Sequence, residues 1–308
     1  MIFLLEKEVL TMKREKTALY VLAVSIAYAA WGTLTIFWNL LTAVDPIYIL
    51  AHRVIWSAVF MGLYSLLRQQ GQEIGSIFRS GKMLRKCFLC GVLVTVNWGV
   101  YIYAVNTGHV LDASLGYFIE PVFVGLIGVL AFREKPSKLE WVTFGFALAA
   151  LLYMLITSGV LPTLAVLIAG SFAVYGGVKK KLDITPEVAL FMETLCMTPF
   201  AVIFVIFREI QGQGALGVLL WPKLLLLAAC GLVTSIPLLL FNTGVKRIPY
   251  YFSGILMYIN PTLQFLMGLF YFRETLDKTR LTAFIIIWVG VLFTLADKLL
   301  TLRKSKEK

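Results

Sequence analysis

Apolar residues dominate this chain in runs too long for a soluble core. Ten stretches can be drawn, at roughly 18–40, 46–67, 87–107, 112–132, 139–158, 161–178, 186–207, 221–242, 249–272 and 280–297. A bilayer-crossing helix needs about 20 mainly apolar residues, so the pattern predicts ten membrane helices and an all-α polytopic fold. Only the connections 68–86 and 208–220 exceed a short turn. That leaves no room for a soluble domain between spans.

The punctuation between spans recurs at an offset of 140 residues. Pro121, Gly128 and Phe132-Arg133-Glu134 are answered by Pro261, Gly268 and Phe272-Arg273-Glu274. Pro46 and Pro186 share the offset, as do Lys138 and Lys278. The expected organisation is a tail over 1–17, a five-helix repeat over 18–158, a second over 161–297 and a basic tail over 298–308. Five is odd, so the second copy enters the membrane from the opposite side. Inverted repeats of this kind point to a secondary transporter with its site at the repeat interface.

Composition narrows the class. Of 308 residues, 59% are hydrophobic and 15% charged, below the quarter usual in soluble domains. The net charge of +11 would suggest nucleic acid in a soluble protein. Here the basic residues sit between spans and read as topology signals. With the N-terminus cytoplasmic, 22 of the 28 Lys and Arg fall inside and five outside, with Arg53 within a span. A multi-pass protein of the cytoplasmic membrane with both termini inside is expected, with no nucleic-acid partner. Met12 opens a basic stretch directly before the first span, which is the expectation behind reading residues 1–11 as an upstream start-site artefact. The first span reads as an anchor rather than a cleaved signal.

Candidate chemistry is sparse. The five aspartates are isolated, and no H-E-x-x-H or G-x-x-x-x-G-K-[ST] occurs, so no enzyme, metal or cofactor is expected. Cys87 and Cys90 have no second pair at zinc spacing and read as small apolar helix residues. A membrane enzyme or a non-transporting receptor would need features absent here, a carboxylate dyad for the first and long soluble loops for the second.

Charges inside hydrocarbon are costly and mark function or pairing. His52 and Arg53 lie in the second span, Glu120 in the fourth and Glu193 in the seventh. Arg53 and Glu193 are 140 apart, equivalent positions with opposite charge. Inversion separates them by about 10 Å of depth in a core about 30 Å thick. Arg53 and Glu120 are the better pair by depth, either as a static lock or with a substrate or proton role. Trp31, Asn97, Trp98, Tyr117, Tyr175, Tyr258 and Asn260 are candidate wall residues. Interfacial anchoring of the aromatics and helix–helix bonding by Asn are the plain alternatives. Pro121, Pro199, Pro237 and Pro261 lie inside spans and are expected helix breaks. Proton coupling would run through Glu120 or Glu193, and a facilitator independent of any gradient would need neither.

The stretches Ala51-His52-Arg53-Val54-Ile55-Trp56-Ser57, Asn97-Trp98, Ala113-Ser114-Leu115-Gly116-Tyr117-Phe118-Ile119 and Pro121 resemble RarD proteins. So do Ser171-Phe172, Tyr175-Gly176, Lys180-Lys181, Glu193, Thr234-Ser235, Pro237-Leu238, Tyr258-Ile259, Pro261-Thr262 and Glu274. RarD proteins belong to the EamA branch of the drug/metabolite transporter superfamily. The resemblance implies ten helices in two inverted repeats, a central cavity, and a permease for a small solute. Chloramphenicol-type compounds and amino-acid-like metabolites are the substrates it implies. The chain departs from the family pattern at Glu120, where Asn is usual. It departs again at Thr35 and Asn39, near which the first span usually carries a Pro and a Lys.

Overall fold

The computed structural model describes residues 2–133, 136–159, 161–179, 182–215, 221–245 and 256–306, and every regular element among them is helical. In chain order these are α1 (Ile2–Asn39), α2 (Pro46–Leu67), α3 (Gly71–Arg79), α4 (Gly81–Asn106), α5 (Val110–Phe132) and α6 (Lys138–Ser158). They continue with α7 (Thr163–Lys179), α8 (Pro186–Ile210), α9 (Trp221–Val245), α10 (Ile259–Leu266) and α11 (Lys278–Lys306). A π-helical turn, Met267–Tyr271, continues α10. Six helical stretches, within α1, α2, α4, α5, α8 and α9, are long and apolar enough to cross a membrane. Trp141–Thr157 and Thr163–Lys179 are shorter apolar helices. Large apolar side chains such as Leu130, Ile156 and Ile210 stand exposed, as a lipid-facing surface requires.

Helix extends into the segments between and beyond the spans, and the prolines depart from expectation. The tails at 2–17 and 298–306 are helical extensions of α1 and α11. The connection 68–86 is largely helical. It holds α3 and the first turn of α4, and α3 buries Ile77 among Cys87, Val188 and Met192. The prolines do not break three of the four helices, since α5, α8 and α9 run through Pro121, Pro199 and Pro237. One proline removes one donor, and packing on both sides holds the remaining ladder. Pro261 sits in the first turn of α10, where its missing N–H would have had no helical partner. The first part of the span drawn at 249–272 lies outside the described residues, as do Glu134, Lys180 and Lys181.

Helix ends are fixed by specific groups. Asp45 accepts from the backbone N–H of Ile47 and Tyr48, and Pro46 supplies the first φ of α2. The equivalent start, Thr185-Pro186, lacks a side-chain cap of its own. There Glu73 of α3 accepts from the Thr185 N–H and hydroxyl. Arg133 and Arg273, 140 apart, both take a left-handed backbone, at φ 55° and 54°. The chain therefore leaves α5 and the π-helical turn by the same sharp reversal.

Beyond Arg273, Glu274 accepts from the N–H of Val110 and Leu111, capping α5 from another part of the chain. Glu274→Ala leaves both donors open, so a loss of about 1–2 kcal/mol is expected, read as a lower melting temperature in detergent.

Helix packing follows the offset. α5 lies along α7 as α10 lies along α1. α9 packs on α2 as α4 packs on α8, and α1 meets α9 as α7 meets α4. α2 packs on its own counterpart α8, α6 on α11, and α5 on α10. Two glycines 140 apart permit the tightest of these approaches. A Cβ on Gly91 of α4 would lie 2.5 Å from the Glu193 carbonyl oxygen, and one on Gly231 of α9 2.4 Å from the Trp56 carbonyl carbon.

Candidate functional site

Arg53 and Glu193 each stand seven residues beyond the proline that opens their helix. Both are buried, at 6% and 0% exposure. The surroundings differ in chemistry although they correspond in position.

Arg53 turns toward α1, α4 and α9. Its Nε donates to Thr234 Oγ1 at 3.0 Å. Its guanidinium carbon lies 4.0 Å from the ring centroid of Trp98 and 5.0 Å from that of Trp38. Stacking on indole faces is a favourable place for a desolvated cation. Tyr101 and Tyr117 interact edge to face, 5.7 Å apart, and both are electrostatic neighbours of Arg53.

Glu193 turns toward α7. Its carboxylate accepts from Tyr175 Oη at 2.9 Å and is 3.2 Å from Lys179 Nζ, which also donates to Tyr175. Tyr175 and Lys179 are four apart and so share one face of α7. The Lys179 side chain is 27% exposed, so the network runs from a fully buried carboxylate to a partly solvated ammonium. Sequence reading assigned Lys179 only to topology. Its i, i+4 spacing from Tyr175 was the available signal.

The pair expected between Arg53 and Glu120 does not form. Among the described residues no carboxylate comes within ion-pair distance of Arg53, and no cation pairs with Glu120, which is 8% exposed on α5. Matching depth does not fix which way a side chain turns on its helix. Arg53 is directed between two indoles and to α9.

The other candidates divide. Trp98 stacks on the Arg53 guanidinium. His52 packs its ring 4.8 Å from Tyr48, and both ring nitrogens are buried without partners among the described residues. Trp31 packs on Tyr28 and Phe241, at 5.6 and 5.7 Å. Asn97 acts as helix–helix glue, its amide donating to the Ile168 carbonyl at 2.9 Å and Ser171 Oγ at 3.1 Å on α7. Tyr258 stacks on Phe118. Asn260, the repeat equivalent of Glu120, accepts from Gln264 Nε2 at 2.7 Å. Ser114 of α5 donates to the Pro261 carbonyl at 2.8 Å, tying α5 to α10. No group of three or more His, Cys, Asp or Glu suited to a metal occurs among the described residues.

A family model described as the EamA-like transporter family matches this chain twice, at residues 18–156 and 160–296. The chain belongs to the EamA-like transporter family. Within it the RarD group is close. The protein RarD of Streptomyces exfoliatus is 37% identical over 282 residues, 92% of this chain and 90% of that one. RarD of Escherichia coli (strain K12) is 31% identical over 96% of this chain and all of that one. An uncharacterized transporter of Bacillus subtilis (strain 168), YojE, is 36% identical over 96% of this chain and 99% of its own. A solved protein structure, 18% identical, shares the fold with a TM-score of 0.57 over 89% of this chain and 96% of that one. This EamA-like protein is therefore a multi-pass membrane transporter of the RarD type.

Proposed function

We propose that this EamA-like protein is a ten-helix secondary transporter that moves a small organic solute, a drug or metabolite, across the cytoplasmic membrane by alternating access. Its halves are residues 18–158 and 161–297, inverted with respect to each other, with both termini cytoplasmic. The observation that carries this reading is the exchange of helix neighbours at offset 140. Among the described residues, the most extensive contacts between halves each have a counterpart with the halves swapped or join equivalent helices. Such an arrangement has two equivalent ways to open, one toward each face. Arg53 then belongs to the outer part of the pathway and Glu193 to the inner part.

Proton coupling is assigned to Glu193, with Glu120 as the second candidate carboxylate. Glu193 is fully buried and linked through Tyr175 to the partly solvated Lys179, a chain along which a proton can be exchanged. Flux of a metabolite and drug panel into proteoliposomes tests this. At least one solute should accumulate faster under an imposed pH gradient, and Glu193→Gln should remove the acceleration while leaving solute exchange. Flux indifferent to the gradient would instead mark a facilitator in which Lys179 and Glu193 form a fixed pair.

A further inference from the structure

Among the described residues two buried charges within the spans stand without an ion-pair partner, the Arg53 guanidinium and the Glu120 carboxylate, while three other pairs are complete. Glu193 has Lys179, Asp112 has Arg280 at 3.3 Å, and Asp45 has Arg208 at 3.7 Å. Arg53 is buried, cannot shed its proton, and has no carboxylate in reach among the described residues. An uncompensated cation at membrane depth is among the most costly arrangements a chain can hold. The repeat shows where compensation is missing. Lys179, the partner built in for Glu193, corresponds to Asn39, which carries no charge.

The surroundings are rich in buried donors. Arg53 Nη1 is buried with no hydrogen-bond partner among the described residues. So are Trp38 Nε1, Ser57 Oγ and Tyr101 Oη. Trp38 lies against the guanidinium, and Ser57 is one turn along α2. Tyr101 is an electrostatic neighbour of Arg53. Guanidinium and indole can only donate, and the hydroxyls can donate too. A cluster of free donors around one positive charge asks for one negative, acceptor-rich group. One uncompensated charge answers a monoanion and leaves a dianionic phosphate half neutralised.

We infer that the cluster of Arg53, Trp38, Trp98, Ser57 and Tyr101 binds the carboxylate of the transported solute, so the substrate is an organic acid or a zwitterion. Neutral or purely cationic drugs are excluded as its principal cargo. This rests on the transporter reading above.

The test is calorimetry on the purified full-length protein with matched acid and amide probes: benzoate and benzamide, phenylalanine and its amide, N-acetylglycine and its amide. At least one acid should bind tenfold or more tightly than its amide, and Arg53→Gln should abolish that preference. Phenylglyoxal modification of Arg53, followed by mass spectrometry in the wild type, keeps the test open if Arg53→Gln does not fold. The preferred acid should slow modification at least threefold, and its amide should not. Acid and amide binding alike, no binding by any acid, or no protection of Arg53 would overturn the proposal. Transport of neutral solutes without acid preference would remove the anion site and leave the transporter standing. Acid binding without flux of that acid would do the reverse.

Discussion

Replacing Lys179 by Met lowers the stability of the folded protein by about 3 kcal/mol, because it strands the fully buried Glu193 carboxylate without its cation. The companion variant gives the prediction its edge. Glu193→Gln in the Lys179→Met background recovers most of the loss, since a neutral amide can still accept from Tyr175 and no buried charge remains. Thermal melting in one detergent across wild type, both single variants and the double variant reads the coupling. A Lys179→Met protein as stable as wild type would show that the carboxylate does not depend on the ammonium. A double variant as unstable as the single would place the damage in lost packing of the lysine stem.

Gly231→Val and Gly91→Val are each expected to cost about 1–3 kcal/mol or more, near the upper end of what overpacking causes. At both sites the nearest obstacle is backbone of the facing helix, Trp56 on α2 or Glu193 on α8, and backbone cannot rotate away as a side chain can. Small residues are what let membrane helices pack this closely. Gly145→Val supplies the control, because a Cβ there meets nothing within 4 Å. The yield of monodisperse protein and its melting temperature should fall for the first two and hold for the third. Equal tolerance of all three would remove these glycines from the account of how α2 and α8 are held.

The sequence was informative wherever the signal was periodic or repeated. Phe132-Arg133-Glu134 and Phe272-Arg273-Glu274 marked equivalent turns, and the matched backbone angles of Arg133 and Arg273 carry that equivalence into conformation. The same offset singled out Arg53 and Glu193, which the fold buries in corresponding positions. It also contained Gly91 and Gly231, overlooked because a glycine declares its role only against the backbone it faces. What sequence could not supply was direction around a helix axis. Depth favoured Arg53 with Glu120, but Arg53 turns to indoles and Thr234. Lys179 looked like a topology charge because it ends a span, yet one turn of helix puts it beside Tyr175. α3 was hidden by its polar composition, and Ile74 and Ile77, with the Glu73 carboxylate on Thr185, anchor it to the rest. Prolines that sequence alone casts as breaks are absorbed by helices packed on several sides.

The inversion of the two halves is the claim from which the mechanism follows, and one labelling measurement reaches it. Arg133 and Arg273 are exposed, repeat-equivalent and at the ends of corresponding segments. In a background with Cys87, Cys90, Cys196 and Cys230 replaced, R133C and R273C are treated with a membrane-impermeant maleimide in intact cells and after permeabilisation. The account predicts that R273C reacts in intact cells and R133C only once the membrane is opened. Reaction of both from the same side would contradict it.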